Sequence, residues 1–561
     1  MKLDARKYHR SKPVRPVQIV LMLVLLNALL GFLVMLFPKG VQGFSFDDKV
    51  PFVHWTDDID DADVSLQFVS ATDLFTEKDR TVVDVDSVLA DIEVSDTSFQ
   101  DTVTTDTSFD EPEPERKLQY ANDVRGAMDQ FYASLAGVEN GTESLIRILH
   151  YGDSQLEGDR ISDYLRNKMQ NRFGGHGPGI VLPVDISRAR VSIRQSESAD
   201  WKKYAIYTKQ KLTNGHYGIG GSAYRYTGTY AKKVGEDTIV SKRYDSLVMV
   251  VNERLPVEKK SLEIDSAESI SYDTTYVPFD TSAYVFDTVI EPRYVTEKSA
   301  YSWLRYRCAK RSYARVRTFS HVSMMYSSTD SVRCSVVVDG STVQKLLPPR
   351  PFGGMISLYT GQVSSEVQLK FNGPSPTVWG VLLDGETGVA VDNFPMRGSS
   401  GTGYATINRS VYSKQMTLVN AKLVVMQYGI NVVPNPVKSY KFYERMFSSE
   451  LRAIKAANPD ISILVIGPSD MSRKRAGEYE SYPNIEKIRD AMRNAAFDNG
   501  CAFWDLYTAM GGKNSMVSWV QNEPALASKD YTHFNSRGAR YIGEMLYNAI
   551  MSDYAAWKLA Q

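Results

Sequence analysis

Two stretches of this chain alternate strand-like and helix-like patterns, and between them lies a long block that reads as strand alone. No other feature constrains the fold as much. Residues 144–151 (SLIRILHY) have the apolar, branched character of a buried strand and end in Gly152-Asp153-Ser154-Gln155. A helix comes next, with Ile161, Leu165 and Met169 four apart on one face and Gly174-Gly175 as its stop. Strand, tight turn and helix in this order open an α/β layer. An earlier helix is expected over 123–135, from Val124, Met128, Tyr132 and Leu135.

After Pro183 the pattern changes. Runs at 246–251, 314–326, 332–338, 366–371 and 377–383 are short and alternating or β-branched, and Asp339-Gly340 is a hairpin signal between two of them. Such spacing predicts a β-sandwich, with residues 258–299, rich in Ser, Thr, Asp and Tyr, as an excursion from it. The mixed pattern then resumes. Residues 423–428 (LVVMQY), 461–466 and 502–505 read as strands, and 440–457 and 485–497 as helices. A last helix is expected at 536–551, with Ser536 as its N-cap. Alternating strands and helices predict a parallel sheet with helices on both faces. The expected organisation is one α/β domain in two parts, 117–183 and 393–561, interrupted by an inserted β-sandwich domain at 184–392.

The N-terminal part reads differently. Residues 17–37 are apolar and free of charge, long enough at about 1.5 Å per residue for the ~30 Å core of a bilayer. Lys2, Arg6, Lys7, Arg10, Lys12 and Arg15 precede them, which predicts a cytoplasmic tail at 1–16 and export of the chain beyond the apolar run. A cleaved signal peptide is the competing reading, but its apolar region is usually shorter, about 7–15 residues. The expectation is a single-pass transmembrane helix in the cytoplasmic membrane with the globular region on the periplasmic side. Residues 38–116 are rich in Asp, Thr and Ser and poor in periodic apolar positions, so an acidic disordered linker is expected there.

Composition excludes more than it selects. The chain has 561 residues, 43% hydrophobic and 23% charged, which suits several globular cores. A net charge of −1 gives no electrostatic reason to expect nucleic acid as a partner. Cys308, Cys334 and Cys501 are too few for a disulfide scaffold; Cys308 and Cys334 can pair only on neighbouring strands, and buried thiols are the simpler reading. No His, Cys or carboxylate spacing suggests a metal site, and no cofactor is expected.

Ser154 stands where a strand ends and a helix begins, so the helix dipole favours negative charge beside its N–H. A serine hydroxyl needs a base and an orienting carboxylate before it becomes a nucleophile. Asp530-Tyr531-Thr532-His533, in the loop before the last helix, offers both. Gly429-Ile430-Asn431 comes after the LVVMQY strand, and Gly398 lies in the glycine-containing loop Met396-Arg397-Gly398-Ser399-Ser400-Gly401. Without these partners, Asp153 or Ser154 would read as a helix cap. His150 reads as packing or a supporting hydrogen bond, and Asp470 as a surface turn or a pocket residue.

The order of these blocks resembles the SGNH or GDSL-like hydrolase family. Gly152-Asp153-Ser154 matches its nucleophile block, Gly398 its glycine block, with Gly401 and Gly403 as competitors, Gly429-x-Asn431 its Gly-x-Asn block and Asp530-x-x-His533 its last block. The resemblance implies a triad of Ser154, His533 and Asp530. It also implies an oxyanion hole from the Ser154 N–H, the Gly398 N–H and the Asn431 side chain. Gln155 replaces the leucine of the GDSL label, a difference that concerns packing more than chemistry. The interrupted layout is similar to bacterial envelope carbohydrate esterases, including peptidoglycan O-acetylesterases. That likeness implies an esterase removing O-acyl, chiefly O-acetyl, groups from a cell-envelope glycan. The alternatives are an O-acetyltransferase using the same acyl-enzyme, and an anchored glycan-binding protein with a vestigial triad.

Overall fold

Alternate residues of β1 (Leu145–Gly152) face opposite layers, as the period of two in a strand requires. Ile146 and Ile148 pack with α1 (Asp129–Glu139), α2 (Arg160–Phe173) and α6 (Ser536–Leu559). Leu149 and Tyr151 pack on the other side, with α3 (Arg409–Leu418), α4 (Lys441–Ala457) and α5 (Ile485–Asp498). The same alternation sorts Leu423 and Val425 from Val424 and Met426, and Leu464 and Ile466 from Ile463 and Val465. Ile148, Val425 and Leu464 are wholly buried, so truncating any one to alanine should cost about 2–5 kcal/mol.

The computed structural model describes residues 109–123, 125–184, 190–244, 284–298 and 301–561. The expected cytoplasmic tail, the membrane helix at 17–37, the linker as far as residue 108 and the strand at 246–251 lie outside the described residues. Among the described residues, no helix is long and apolar enough to cross a membrane.

The strands of the α/β layer are β1, β2 (Gly388–Pro395), β3 (Ala421–Gln427), β4 (Ser462–Ile466) and β5 (Ala502–Trp504), ordered β2-β1-β3-β4-β5. Every pairing is parallel. The chain leaves β1 for β2 on one side and returns to β3 on the other. This makes a switch point at the carboxyl ends of β1 and β3, where open α/β sheets place their sites.

Among the described residues, the inserted block forms, beside the two-stranded ribbon of Thr229–Tyr244 with Tyr284–Lys298, two larger antiparallel sheets. One joins Ser341–Leu347, Val332–Val338, Glu366–Asn372, Ser302–Cys308 and Ile193–Glu197; the other joins Arg350–Ser364, Phe319–Ser328, Thr377–Asp384, Ser222–Tyr226 and Trp201–Ala205. Phe371 of the first sheet meets Trp201 and Tyr226 of the second at ring-centre distances of 5.7 and 6.0 Å, so the two pack as a sandwich.

Several boundaries differ from the sequence reading. The pattern puts most of Gly388–Pro395 inside the insert, yet this run pairs along its whole length with β1 and forms the edge of the parallel sheet. Conversely, Gly179–Val181, expected in the α/β part, pairs with Thr377–Asp384 of the sandwich. The insert therefore runs from 179 to 384. It also shares one continuous buried cluster with α3, α4 and α5 and does not keep a core to itself. At the other end, residues 109–116 are already docked, not linker: Phe109 packs on the core, and Ser552 donates to Glu111 at 2.8 Å. The first helix starts at Asp129, after short 310 turns, later than its apolar spacing suggests. The cap of α6 is Asn535, whose side chain accepts from Arg537 and Gly538 at 3.0 Å, and Ser536 is the first helical residue. Cys308, Cys334 and Cys501 are buried free thiols, each pushed up to about 12 by burial.

Candidate active site

β1 delivers Ser154 directly: the strand ends at Gly152 and Ser154 begins the 310 turn Ser154–Asp159. The Ser154 N–H, first in such a turn, has no partner within it and stays available to an acceptor, while Asp153 takes that of Gln155 at 3.0 Å. A side chain at Gly152 would collide with Leu156 and with the Gln427 carbonyl, which explains glycine there. The turn closes at Asp159, which takes a left-handed conformation with φ 64°. Arg166 at 2.9 Å and Arg190 at 3.6 Å hold its carboxylate, and Ser192 also donates to it. Burial alone would raise the Asp159 carboxyl, but the two guanidinium groups keep it below the ordinary range. Arg190 and Ser192 belong to the insert, and Val191 N–H donates to the Gly158 carbonyl at 2.9 Å. The sandwich thus braces the turn that carries Ser154.

The structure brings Ser154, His533 and Asp530 together. Ser154 Oγ lies 2.8 Å from His533 Nε2, and His533 Nδ1 lies 2.7 Å from Asp530 Oδ2. Asp530 Oδ1 accepts from the Thr532 and His533 N–H groups, each at 3.0 Å. Burial opposes ionisation of Asp530, yet the bonds from the His533 ring and from these two N–H groups outweigh it and hold the carboxyl below its ordinary range. The His533 and Asp530 side chains are 29% and 36% exposed, so this pair is open to solvent.

Asn431 stands just beyond β3, and its Nδ2 donates to the Ser399 carbonyl at 2.9 Å, leaving the second amide hydrogen for another acceptor. Gly398 has φ 77° and open space where a side chain would stand, whereas Gly401 faces the Phe447 and Tyr428 rings and Gly403 faces Ile206. Of the three glycines, Gly398 therefore has the backbone a substrate can approach. Arg397 forms a two-pronged ion pair with Glu157, tying the Gly398 loop to the Ser154 turn.

Other residues find different places. His150 is buried between Gln427 at 3.1 Å and Ser162 at 3.0 Å, and burial lowers it to about 4, so it is a neutral support. Asp470 is neither a surface turn nor a pocket residue: it is wholly buried and accepts from Met516 N–H at 2.8 Å, at the start of the helix Ser515–Gln521. Asp153 is buried beside Ser154, accepts from Gln155 N–H at 3.0 Å and is raised by burial to about 7. Gln155 does more than pack: its amide bonds to Thr532 and Phe534, the neighbours of His533, which the leucine of the family label could not do. Among the described residues, no group of three or more His, Cys, Asp or Glu side chains is arranged to hold a metal ion.

Residues 357–541 match the model of the GDSL-like lipase/acylhydrolase family. The span contains Gly398, Asn431, Asp530 and His533 and does not reach Ser154. A solved structure of a peptidoglycan O-acetylesterase superposes with a TM-score of 0.51 at 17% identity, over 78% of this chain and 99% of that one, a likeness of fold. An acetyl xylan esterase is similar with a TM-score of 0.23 at 17% identity, over 29% of this chain and 81% of that one. A family two carbohydrate esterase from Clostridium thermocellum reaches 0.20 at 9% identity, over 46% and 93%; both are too distant in shape to bear on this chain. No curated relative matches in sequence. The match over residues 357–541 makes this part of the chain similar to the GDSL-like lipase/acylhydrolases, and the chain is a serine ester hydrolase.

Proposed function

We propose that the chain removes O-acetyl groups from a cell-envelope glycan through a Ser154–His533–Asp530 triad. The observation that carries this reading is the unbroken run of hydrogen bonds from Ser154 Oγ through the His533 ring to Asp530, at 2.8 and 2.7 Å. Neutral His533 takes the Ser154 proton as Oγ attacks the acetyl carbonyl, and Asp530 stabilises the imidazolium and fixes its tautomer. The oxyanion is received by the N–H groups of Ser154 and Gly398 and by the free amide hydrogen of Asn431. Collapse expels the sugar hydroxyl, which takes its proton from His533 and leaves an acetyl-serine. Water, deprotonated by His533, then releases acetate.

A polymeric substrate suits the open setting of His533 and Asp530, where a bulky glycan can reach the serine with only its acetyl group entering the site. Residues 17–37 anchor the protein in the membrane, with the hydrolase beyond residue 40 on the exported side, as the basic flank before them favours. The test is acetate release from O-acetylated glycans by the full chain in detergent. Ser154→Ala should abolish the release while the protein remains folded. Persistent release by that variant would rule out Ser154 as nucleophile, and acetyl transfer to sugar in place of free acetate would make the enzyme a transferase.

A further inference from the structure

Gln155 occupies the position directly after the nucleophile and is 2% exposed. Its side chain makes three hydrogen bonds, two to the loop that carries His533 and one to a neighbour. Nε2 donates to the Thr532 carbonyl at 2.8 Å and to Ser469 Oγ at 3.2 Å, while Oε1 accepts from the Phe534 N–H at 3.3 Å. An acceptor pair on one side and an N–H on the other leave only one orientation of the amide. The two backbone partners flank His533 in sequence, so the amide grips the chain on both sides of the imidazole without touching it.

The loop has bonds of its own. Ser528 N–H donates to the His533 carbonyl at 2.8 Å, Ala527 bridges to Phe534, and Asp530 accepts from two N–H groups. These keep the shape of the loop, and the Ser472 N–H, which donates to the Tyr531 carbonyl at 3.0 Å, ties it to the segment after β4. Besides the Ser154–His533 bond itself, the loop is linked back to the Ser154 turn and α2 by Gln155 and, further along, by Arg160, which donates to the Phe534 carbonyl. Gln155 is the nearer, with its own backbone fixed by Asp153 at 3.0 Å.

We propose that Gln155 is a positioning residue that holds His533 in register with Ser154, so that two adjacent residues of one turn supply the nucleophile and place its base. The inference rests on the triad reading above. A misplacement of about 1 Å can cost ~10²-fold in rate, so losing the grip acts on turnover more than on binding.

Two variants of the full chain test it. Gln155→Leu keeps the bulk and deletes all three hydrogen bonds; its kcat should fall roughly 10–10²-fold with KM near the wild-type value. Gln155→Glu separates positioning from simple packing. Protonated, it donates to the Thr532 carbonyl and accepts from Phe534 N–H; ionised, it sets a carboxylate against that carbonyl. Burial raises this carboxyl into an accessible pH range, so the ratio of its kcat to the wild-type value should be highest in acid and fall as pH rises. A wild-type kcat in Gln155→Leu, or a ratio for Gln155→Glu that does not change with pH, would overturn the proposal. Should Gln155→Leu fail to melt cooperatively, the Glu ratio decides alone. Ser154→Ala separates the two levels: if it is inactive while the Gln155 variants are normal, only the positioning role fails, and if it stays active, the triad reading fails as well.

Discussion

Arg147 and Asp392 form a buried ion pair across the first two strands of the parallel sheet, with Arg147 Nη1 2.9 Å from Asp392 Oδ1. Arg147 also pairs with Asp384 at the end of the sandwich, and Asp392 accepts from Ile180 N–H at 2.7 Å where the chain enters it. Burial works against the Arg147 charge, but the two carboxylates hold it protonated throughout the accessible range. This cluster joins β1, β2 and both ends of the insert.

Removing one member of such a cluster leaves a charge buried without its compensation, which typically costs about 3–5 kcal/mol. Arg147→Ala, which leaves both Asp384 and Asp392 without their cation, should therefore lower unfolding stability by about 3 kcal/mol or more, with little relief from added salt, because the cluster is shielded from solvent. Denaturant unfolding at low and high salt measures both. A loss under about 1 kcal/mol, the size typical of an exposed pair, would contradict the structural role.

The strands and helices that were legible in the sequence share a local cause. The helix after Ser154 has apolar residues four apart and a glycine stop, and it is found at Arg160–Phe173. The strands near 144–151 and 461–466 are apolar on both faces because both faces are covered, and each lies within one residue of its reading. β2 was not legible as part of this sheet. Its run Gly388–Pro395 carries Asp392 and Asn393, and the residues that make it a parallel strand are in β1, far away in sequence. The site divides in the same way. Ser154, Asn431, Asp530 and His533 stand in recognisable blocks, and the structure gathers the serine, histidine and aspartate. The Gln155 grip depends on partners up to 379 residues away, so nothing local announced it. Adjacent Asn535 and Ser536 are both good caps, and only the backbone geometry separates them.

Asp153 should make stability depend on pH. Burial lifts its carboxyl from 3.8 to about 7, although the Gln155 N–H pulls the other way. The folded state thus favours the protonated form more than the unfolded state does. Relative to an ionised group, that stabilisation is complete below about pH 3.8 and is lost as pH rises to about 7. Asp153→Asn keeps an acceptor for the turn and removes the buried charge. It should raise stability at about pH 8, by up to ~4 kcal/mol, and change little in strong acid. Melting curves at the two pH values measure the difference; an equal effect at both would show that Asp153 is ionised in the fold.

Asn431 offers a second measurement of the site. Asn431→Ala removes one donor to the oxyanion and should lower kcat by roughly 10²–10³-fold. It also releases the Ser399 carbonyl, so some of the loss arises through the Gly398 loop. Asn431→Asp keeps the size but replaces the donor with a charge, and should be no better than alanine. A kcat near the wild-type value in both variants would remove Asn431 from the oxyanion hole.

The pH dependence of turnover separates the base from its orienting carboxylate. His533 can accept the Ser154 proton only when neutral, so kcat/KM should fall as the solution is made acidic. Asp530 is buried enough to resist ionisation, but the bonds from His533 and Thr532 hold it below the ordinary carboxylate range. It therefore remains a carboxylate well into acid, and the acid limb reports proton uptake by the base. Asp530→Asn should keep KM while cutting kcat by up to ~10⁴-fold, because an amide can hold the imidazole in the wrong tautomer. The 36% exposure of Asp530 lets water take over part of its role, so a smaller loss than that limit is expected. His533→Ala should lose the acid limb together with the activity. A His533→Ala enzyme with near-normal rates and an unchanged acid limb would mean that another group takes the serine proton.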